Sequence, residues 1–176
     1  MKKKINFILP ASFLAVILVL AYVLLTPVGV ADGGGLYKTL ESIGIGYKHI
    51  PSADYFDTVF NIFKKPEIRN TPGLFAALAL TSSGNSFDIR SLAVIYSCFF
   101  ITGILLLIKS GLKGDIFDIP FAALCLIVFA DVAYLSFFNT LYGEGAVLTT
   151  FLMLCALLLL SRKSNDKAGI LLLLCA

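Results

Sequence analysis

The sequence has little of what soluble enzymes use for catalysis. It contains no tryptophan, a single histidine and only 14% charged residues. His49 lies between Lys48 and Ile50, and no serine–histidine–aspartate arrangement or zinc-binding pattern accompanies it. The ordinary interpretation of such an isolated histidine is a solvated side chain. These absences argue against a hydrolase triad and against a zinc site.

Cysteine and phosphate-binding patterns are also missing. The four cysteines form no Cys-x-x-Cys pair, and each lies in an apolar run, where cysteine is usually a small packing residue. The glycines at 33–35 lack the preceding strand and the following Lys-Ser/Thr of a phosphate loop. No cofactor is predicted, although a divalent metal between carboxylates stays open. The cysteines are Cys98, Cys125, Cys155 and Cys175.

The charge balance does not point to nucleic acid. The formal net charge is +3, and the basic residues cluster at the ends of apolar runs, where phospholipid headgroups lie. Hydrophobic residues make up 59% of the chain, against roughly 45–50% in a soluble domain. A soluble domain of this size buries only about two-thirds of the surface that its unfolded chain exposes. The composition therefore predicts an integral membrane protein whose partner is the lipid bilayer.

Four apolar runs are candidates to cross a hydrocarbon core of about 30 Å, which takes ~20 helical residues. The predicted spans are residues 5–30, 89–108, 116–138 and 146–161. The first could instead be a signal peptide cleaved before Asp32, but its apolar run exceeds the usual ~7–15 residues. An uncleaved anchor is therefore favoured. The predicted fold class is an all-α, polytopic membrane helical bundle.

The segment 31–88 is predicted to be an extracytoplasmic loop, because its charges, prolines and glycines exclude a single membrane crossing. Apolar residues recur at helical spacing in 36–43 and again in 55–63. Pro72 opens a third apolar stretch that ends at Leu80 and is too short to cross. We expect two or three short helices that lie against the lipid headgroups.

The short loops predict the orientation. The lysines at 2–4, the 109–115 turn and the 162–167 turn are basic, whereas the 139–145 turn contains no lysine or arginine. An even number of spans separates each basic segment from the next, so the positive-inside rule places both ends of the four-span bundle in the cytoplasm. We expect a multi-pass protein of the cell membrane with a cytoplasmic amino terminus.

The last nine residues, 168–176, are all apolar except for one glycine. As a helix they would be about 13 Å long, which is less than half a bilayer. They predict either a re-entrant segment or the start of a fifth span in a longer chain, and the second interpretation is favoured.

Two acidic residues near the predicted outer surface are candidate functional groups, because a charge close to the bilayer tends to face a cavity or a partner. Asp32 follows the first span, and Glu144 lies in the 139–145 turn. One of them could act as a general base towards a hydroxyl group, or the pair could hold a divalent metal. The alternative is that both are solvated at helix ends and that Asp32 caps a helix.

Asp131 lies inside the third predicted span, about 10 Å from the end of a continuous helix. Tyr134 and Phe138 follow at i+3 and i+7 on the same face, with Asn139 beside them. The functional interpretation is that Asp131 orients the 139–145 turn. The alternative is a buried structural hydrogen bond to a neighbouring helix.

The order of span, long outer loop, two spans and short acidic outer turn resembles the amino-terminal half of the GT-C glycosyltransferases. The sequence Val-Ala-Asp-Gly-Gly-Gly around Asp32 resembles the family's acidic position in the first outer loop. The sequence Leu-Tyr-Gly-Glu-Gly around Glu144 is similar to the acidic position of the second outer loop, with glycines where the family often has a second acid. The stretch from Asp131 to Glu144 is also similar to a segment of large bacterial membrane proteins with this architecture.

This resemblance implies an enzyme that moves a sugar from a polyprenyl-phosphate carrier to an acceptor at the outer surface. It implies that Asp32 is the catalytic base or orients the acceptor and that Glu144 assists it. The 176 residues would then be the front part of the enzyme, inactive alone. The residues expected to contribute to substrate binding are Asp131, Asn139, Tyr142 and Arg90, with Arg69 as a second arginine that could meet the carrier phosphate.

Two non-enzymatic hypotheses stay open. The chain could be a small multi-pass membrane protein, such as an assembly partner or a transporter subunit, in which Asp32 and Glu144 are replaceable. It could also be a lipid-binding module whose working surface is the outer loop. The sequence names neither a sugar nor an acceptor nor an oligomeric state.

Overall fold

The computed structural model of the chain describes residues 2–25, 44, 46–48, 59–64, 67–68, 70, 71–83, 86–140 and 143–164. Within these ranges the protein is predominantly helical, and the predicted helical membrane bundle is confirmed. The predicted loop helix at 36–43 and the carboxyl-terminal segment 168–176 lie outside the described residues.

Three helices are long and apolar enough to cross a membrane, because each offers at least 19 consecutive helical residues of high hydropathy. The first begins among the lysines at 2–4 and continues through Pro10, which is exposed. The three helices are α1 (Lys2–Leu25), α3 (Ile89–Gly111) and α6 (Glu144–Ser164).

The third predicted span is broken rather than continuous. Helix α4 (Asp118–Phe129) ends at Ala130, and the chain then bends by 46° into α5 (Val132–Leu135) and a 3₁₀ turn (Ser136–Asn139). If this bent pair crosses the membrane as one unit, the described part of the chain contains four spans. The count of three to four spans agrees with the expectation, whereas the single helix over 116–138 does not.

Helix α3 lies at the centre of the bundle. Half of the residues in its most apolar stretch are buried inside the protein, against 28% in the corresponding stretches of α1 and of α6. Phe100 and Ile104 on α3 are fully buried, as are Leu152 and Ala156 on α6. A Cβ atom added at Gly103 would lie 3.1 Å from Leu152 Cγ, so the absence of a side chain lets α6 approach closely.

The first outer loop contains strands where a helix was expected. Strand β2 (Val59–Lys64) pairs antiparallel with β1 (Gly46–Lys48) on one side and with β3 (Ser86–Asp88) on the other. The helix predicted over 55–63 is therefore wrong for 59–63. The physical reason is that Val-Phe-Asn-Ile-Phe is rich in β-branched and aromatic residues, which favour a strand when partners are available on both edges.

A short helix is nevertheless present in that loop. Helix α2 (Thr71–Ser83) begins beside Pro72, and Phe75, Ala76 and Ala79 on one of its faces are buried. The Phe75 ring lies 4.8 Å from the ring of Tyr96 on α3, measured between centroids. Helix α2 therefore packs on the bundle itself.

Two aspartates lie at the amino ends of α3 and α4. Asp88 is the N-cap of α3, and its carboxylate accepts a hydrogen bond of 2.8 Å from the backbone N–H of Arg90. Asp118, which begins α4, is 4% exposed and accepts bonds from the backbone N–H groups of Lys113 and Gly114. The bonds to Asp118 order the turn between α3 and α4.

The contact at Gly103 predicts that a larger residue there separates α3 from α6. We expect Gly103→Leu to lower the free energy of unfolding by about 1–3 kcal/mol, because the added atoms overpack a close interface. Thermal unfolding of the purified protein in detergent measures the effect. Thr102→Leu is the control, since Thr102 is exposed on the adjacent face. Equal stability of the two variants would contradict the close α3–α6 contact.

The predicted orientation is testable by labelling. In a chain whose cysteines are replaced by alanine, we expect a membrane-impermeant maleimide on intact cells to label Gly143→Cys. We expect Lys113→Cys to react only after the membrane is permeabilised, because one bent span separates the two positions. The opposite pattern would mean the reverse orientation, and equal labelling of both would contradict the bent span.

Candidate functional site

Four ends of secondary structure lie together at one end of the bundle, which we call the outer end because the positive-inside rule predicts it to be extracytoplasmic. They are the carboxyl end of α1, the amino ends of α3 and α6, and the 3₁₀ turn. A Cβ atom added at Gly145 would lie 3.1 Å from the ring of Tyr96 and 3.4 Å from the carbonyl oxygen of Phe137. Helix α2 covers the same end, since a Cβ atom at Gly143 would lie 3.7 Å from Pro72.

Aromatic rings fill the interior just beneath this end. Tyr96, which is 1% exposed, lies 5.5 Å from Phe138 of the 3₁₀ turn, and Phe138 lies 5.7 Å from Phe100. The T-shaped contact between Phe100 and Phe138 is a favourable geometry for aromatic pairs. Sequence reasoning missed Tyr96, whose only signal was a phenol in an otherwise apolar span. The cluster holds α2, α3 and the 3₁₀ turn in fixed relation.

Glu144 is the first residue of α6 and is exposed. The amino end of a helix carries unsatisfied N–H groups and a partial positive charge, so a carboxylate is stabilised there. Among the described residues, no lysine or arginine forms an ion pair with it. Its carboxylate is therefore available at the outer end, on the rim formed by α2 and the 3₁₀ turn.

The other residue of the predicted acidic pair lies outside the described residues, as do Tyr142 and Arg69. Asp32 follows the carboxyl end of α1 by seven residues. The predicted proximity of Asp32 and Glu144 therefore stays a prediction.

Asn139 joins the third span to the first. Its Nδ2 donates a hydrogen bond of 2.9 Å to the carbonyl oxygen of Val23. That carbonyl belongs to the last turn of α1, where the backbone oxygens have no partner within the helix. Asn139 is thus part of the scaffold of the outer end, which holds the 3₁₀ turn beside α1. Its predicted contact with substrate is untested.

Asp131 differs from its prediction. It is exposed at the break between α4 and α5, and its Oδ1 accepts a hydrogen bond of 2.8 Å from the backbone N–H of Ala133. An aspartate can cap a new helix in this way, and here it starts α5 instead of continuing α4. The shared helical face is also wrong, because Tyr134 is exposed whereas Phe138 is fully buried. No buried bond from Asp131 to a neighbouring helix is found among the described residues.

Arg90 lies in the first turn of α3 and is exposed. Within the described ranges, no carboxylate forms an ion pair with its guanidinium. Its guanidinium is exposed at the outer end, where a phosphate at the membrane surface could meet it.

Metal ligands are not gathered in the described part of the chain. There, no group of three or more histidine, cysteine, aspartate or glutamate side chains lies close enough to hold an ion. Cys98 is exposed, Cys125 is buried and Cys155 is half-buried, and none of these three forms a disulfide. The arrangement at the outer end is chemically a carboxylate, a guanidinium and an amide on a rigid aromatic base.

Comparison with known proteins identifies a membrane family. The family model described as the YfdI N-terminal transmembrane domain matches residues 1–176, the full length of the chain. No curated protein and no solved structure matches the chain.

The bond between Asn139 and α1 predicts a stability effect. We expect Asn139→Leu to lower the free energy of unfolding by about 1 kcal/mol or more, because the carbonyl of Val23 loses its donor in a partly buried place. Ser136→Ala is the control, since the Ser136 hydroxyl bonds only the nearby carbonyl oxygen of Ala133. Thermal unfolding in detergent compares them, and a smaller loss in Asn139→Leu than in the control would contradict the anchoring role.

Proposed function

The chain belongs to the YfdI N-terminal transmembrane domain family, and from this premise we propose that it is the amino-terminal membrane part of a GT-C-like glycosyltransferase. The proposed reaction moves a sugar from a polyprenyl-phosphate carrier to a hydroxyl acceptor at the outer surface of the cell membrane. The bilayer supplies the carrier, and the bundle supplies the acidic groups.

The observation that carries the proposal is the position of Glu144. Its exposed carboxylate begins a membrane-spanning helix at the end of the bundle where α1 finishes. By chain length alone, the seven residues after Leu25 can extend at most about 25 Å, a length that allows Asp32 to reach Glu144. This supports a site in which two carboxylates act from adjacent elements.

In the proposed mechanism, Asp32 accepts the proton of the acceptor hydroxyl as its oxygen attacks the anomeric carbon of the carrier-linked sugar. The bond between that carbon and the carrier phosphate oxygen breaks, and the phosphate leaves with the electron pair. Glu144 orients the acceptor by accepting a hydrogen bond from a second hydroxyl. A general base positioned in this way contributes roughly 10²–10⁴-fold to a rate.

Arg90 is the residue proposed to bind the carrier phosphate. Its guanidinium is exposed at the amino end of α3, at the end of the bundle where Glu144 lies. Guanidinium groups bind phosphate through paired hydrogen bonds and keep their charge at any physiological pH. Tyr142 and Asn139 lie close to Glu144 in the sequence. Asp131 contributes by starting α5, the short helix that leads into the 3₁₀ turn.

The proposal predicts loss of transfer in carboxamide variants of the full-length protein. We expect Asp32→Asn to reduce sugar transfer from a polyprenyl-phosphate donor by at least about 100-fold, and Glu144→Gln to reduce it less. Asp115→Asn is the matched control, because Asp115 lies in the turn at the opposite end of the bundle and its Oδ1 accepts only from a backbone N–H.

Undiminished transfer in Asp32→Asn and Glu144→Gln would overturn the proposal. A chain that is stable and functional with both acids replaced would instead fit a non-enzymatic membrane protein, such as an assembly partner or a transporter subunit.

A further inference from the structure

A groove opens between α1 and α4 at the end of the bundle opposite to the candidate site. Its volume is about 490 Å³, and its walls are one face of α1 over residues 7–12 and one face of α4 over residues 119–126. Both helices begin at this end and run in the same direction into the membrane. A volume of this size is within the range of sites that hold small organic ligands.

Small side chains keep the groove open. Ala11, Ala122 and Ala123 line it, whereas larger residues at these positions would close the space between the helices. At its mouth Phe7 is 74% exposed and Ile119 is 60% exposed, so the groove opens towards the surrounding lipid. Its occupant is therefore apolar along most of its length.

One polar group lies on this apolar wall. Ser12 lines the groove and is 3% exposed. A hydroxyl group on an otherwise apolar wall can donate a hydrogen bond to an acceptor on the occupant. Ser12 follows Lys4 by eight residues, or about 12 Å along a helix.

Basic residues are concentrated in the sequence at this end of the bundle. The lysines at 2–4 form the first turn of α1, one turn before Phe7. Lys113 and Lys109 are exposed at the turn that leads into α4. The acids of that turn already accept backbone hydrogen bonds: Asp118 is buried and bonds two N–H groups, and Asp115 bonds that of Phe117. An occupant with an anionic headgroup matches this charge.

We propose that the groove binds one anionic phospholipid from the leaflet that faces these lysines. One acyl chain lies between α1 and α4, the phosphate lies beside the lysines, and an ester carbonyl accepts a hydrogen bond from Ser12. A polyprenyl phosphate has the same charge and a similar apolar chain, but it carries no carbonyl for Ser12. This lipid site is independent of the proposed transferase function, since it lies at the other end of the bundle.

Lipid binding to the delipidated full chain tests the groove itself. In native mass spectrometry, we expect the protein to retain one phosphatidylglycerol at least tenfold more tightly than a phosphatidylethanolamine with identical acyl chains. We expect Ala123→Phe, which fills the groove, to reduce phosphatidylglycerol affinity by at least tenfold. Ala133→Phe is the matched control, because Ala133 is also exposed but lies outside the groove. Unchanged affinity in Ala123→Phe, or equal retention of the two lipids, would overturn the proposal.

Three further substitutions separate the phospholipid from the carrier lipid. Lys109→Gln and Lys113→Gln should each weaken phosphatidylglycerol binding by about fivefold and leave phosphatidylethanolamine binding unchanged. Ser12→Ala should weaken phosphatidylglycerol by about fivefold and leave a polyprenyl phosphate unaffected. If polyprenyl phosphate displaces phosphatidylglycerol at equal concentration and Ser12→Ala changes neither, the groove binds the carrier lipid and the assignment is wrong.

Discussion

Lipid tails are as apolar as leucine side chains, so helices inside a bilayer gain little from the hydrophobic effect and associate through close packing. In this protein that packing is concentrated on α3. Helices α1, α2, α4 and α6 all contact it, as does the 3₁₀ turn. Gly103 lets α6 approach closely, and Tyr96 and Phe100 provide rings for α2 and the 3₁₀ turn. The geometry of both ends of the bundle therefore depends on how neighbours are packed on α3.

The break in the third span is the second constraint. Backbone N–H and C=O groups at membrane depth must find partners inside the protein, because lipid offers none. Asp131 supplies an acceptor to the N–H of Ala133, and Asn139 supplies a donor to the carbonyl oxygen of Val23. Two polar side chains thus make the bend possible and attach its far end to α1. Without the bend, the 139–145 turn would have a different position relative to the first outer loop.

The two ends of the bundle have opposite chemistry. At the outer end an exposed carboxylate and an exposed guanidinium lie on a rigid aromatic base, an arrangement suited to a polar acceptor and a phosphate. The other end has an apolar groove with Ser12 on its wall and lysines in the adjoining segments of the sequence, which suits the anionic lipid proposed for it. The charge asymmetry from which the orientation is predicted therefore also separates the two candidate sites.

The sequence by itself determined the features that depend on composition along the chain. Apolar runs of about 20 residues predicted the spans α1, α3 and α6, and those helices are present because a bilayer-length helix satisfies its own backbone hydrogen bonds. The sequence placed Glu144 in the turn just before the span predicted at 146–161, and in the structure it is the first residue of α6.

Only the tertiary structure decided the features that depend on partners distant in the chain. Residues 59–64 form a strand because β1 and β3 lie on either side, and no local sequence pattern predicts that these strands pair with it. Asp131 caps α5 at the bend, and beyond the bend Asn139 reaches the carbonyl oxygen of Val23, 116 residues away, a contact that the local sequence does not indicate. The groove beside Ser12 likewise exists only where small residues of α1 and α4 meet. Because these two helices are far apart in the sequence, neither helix alone predicts the groove.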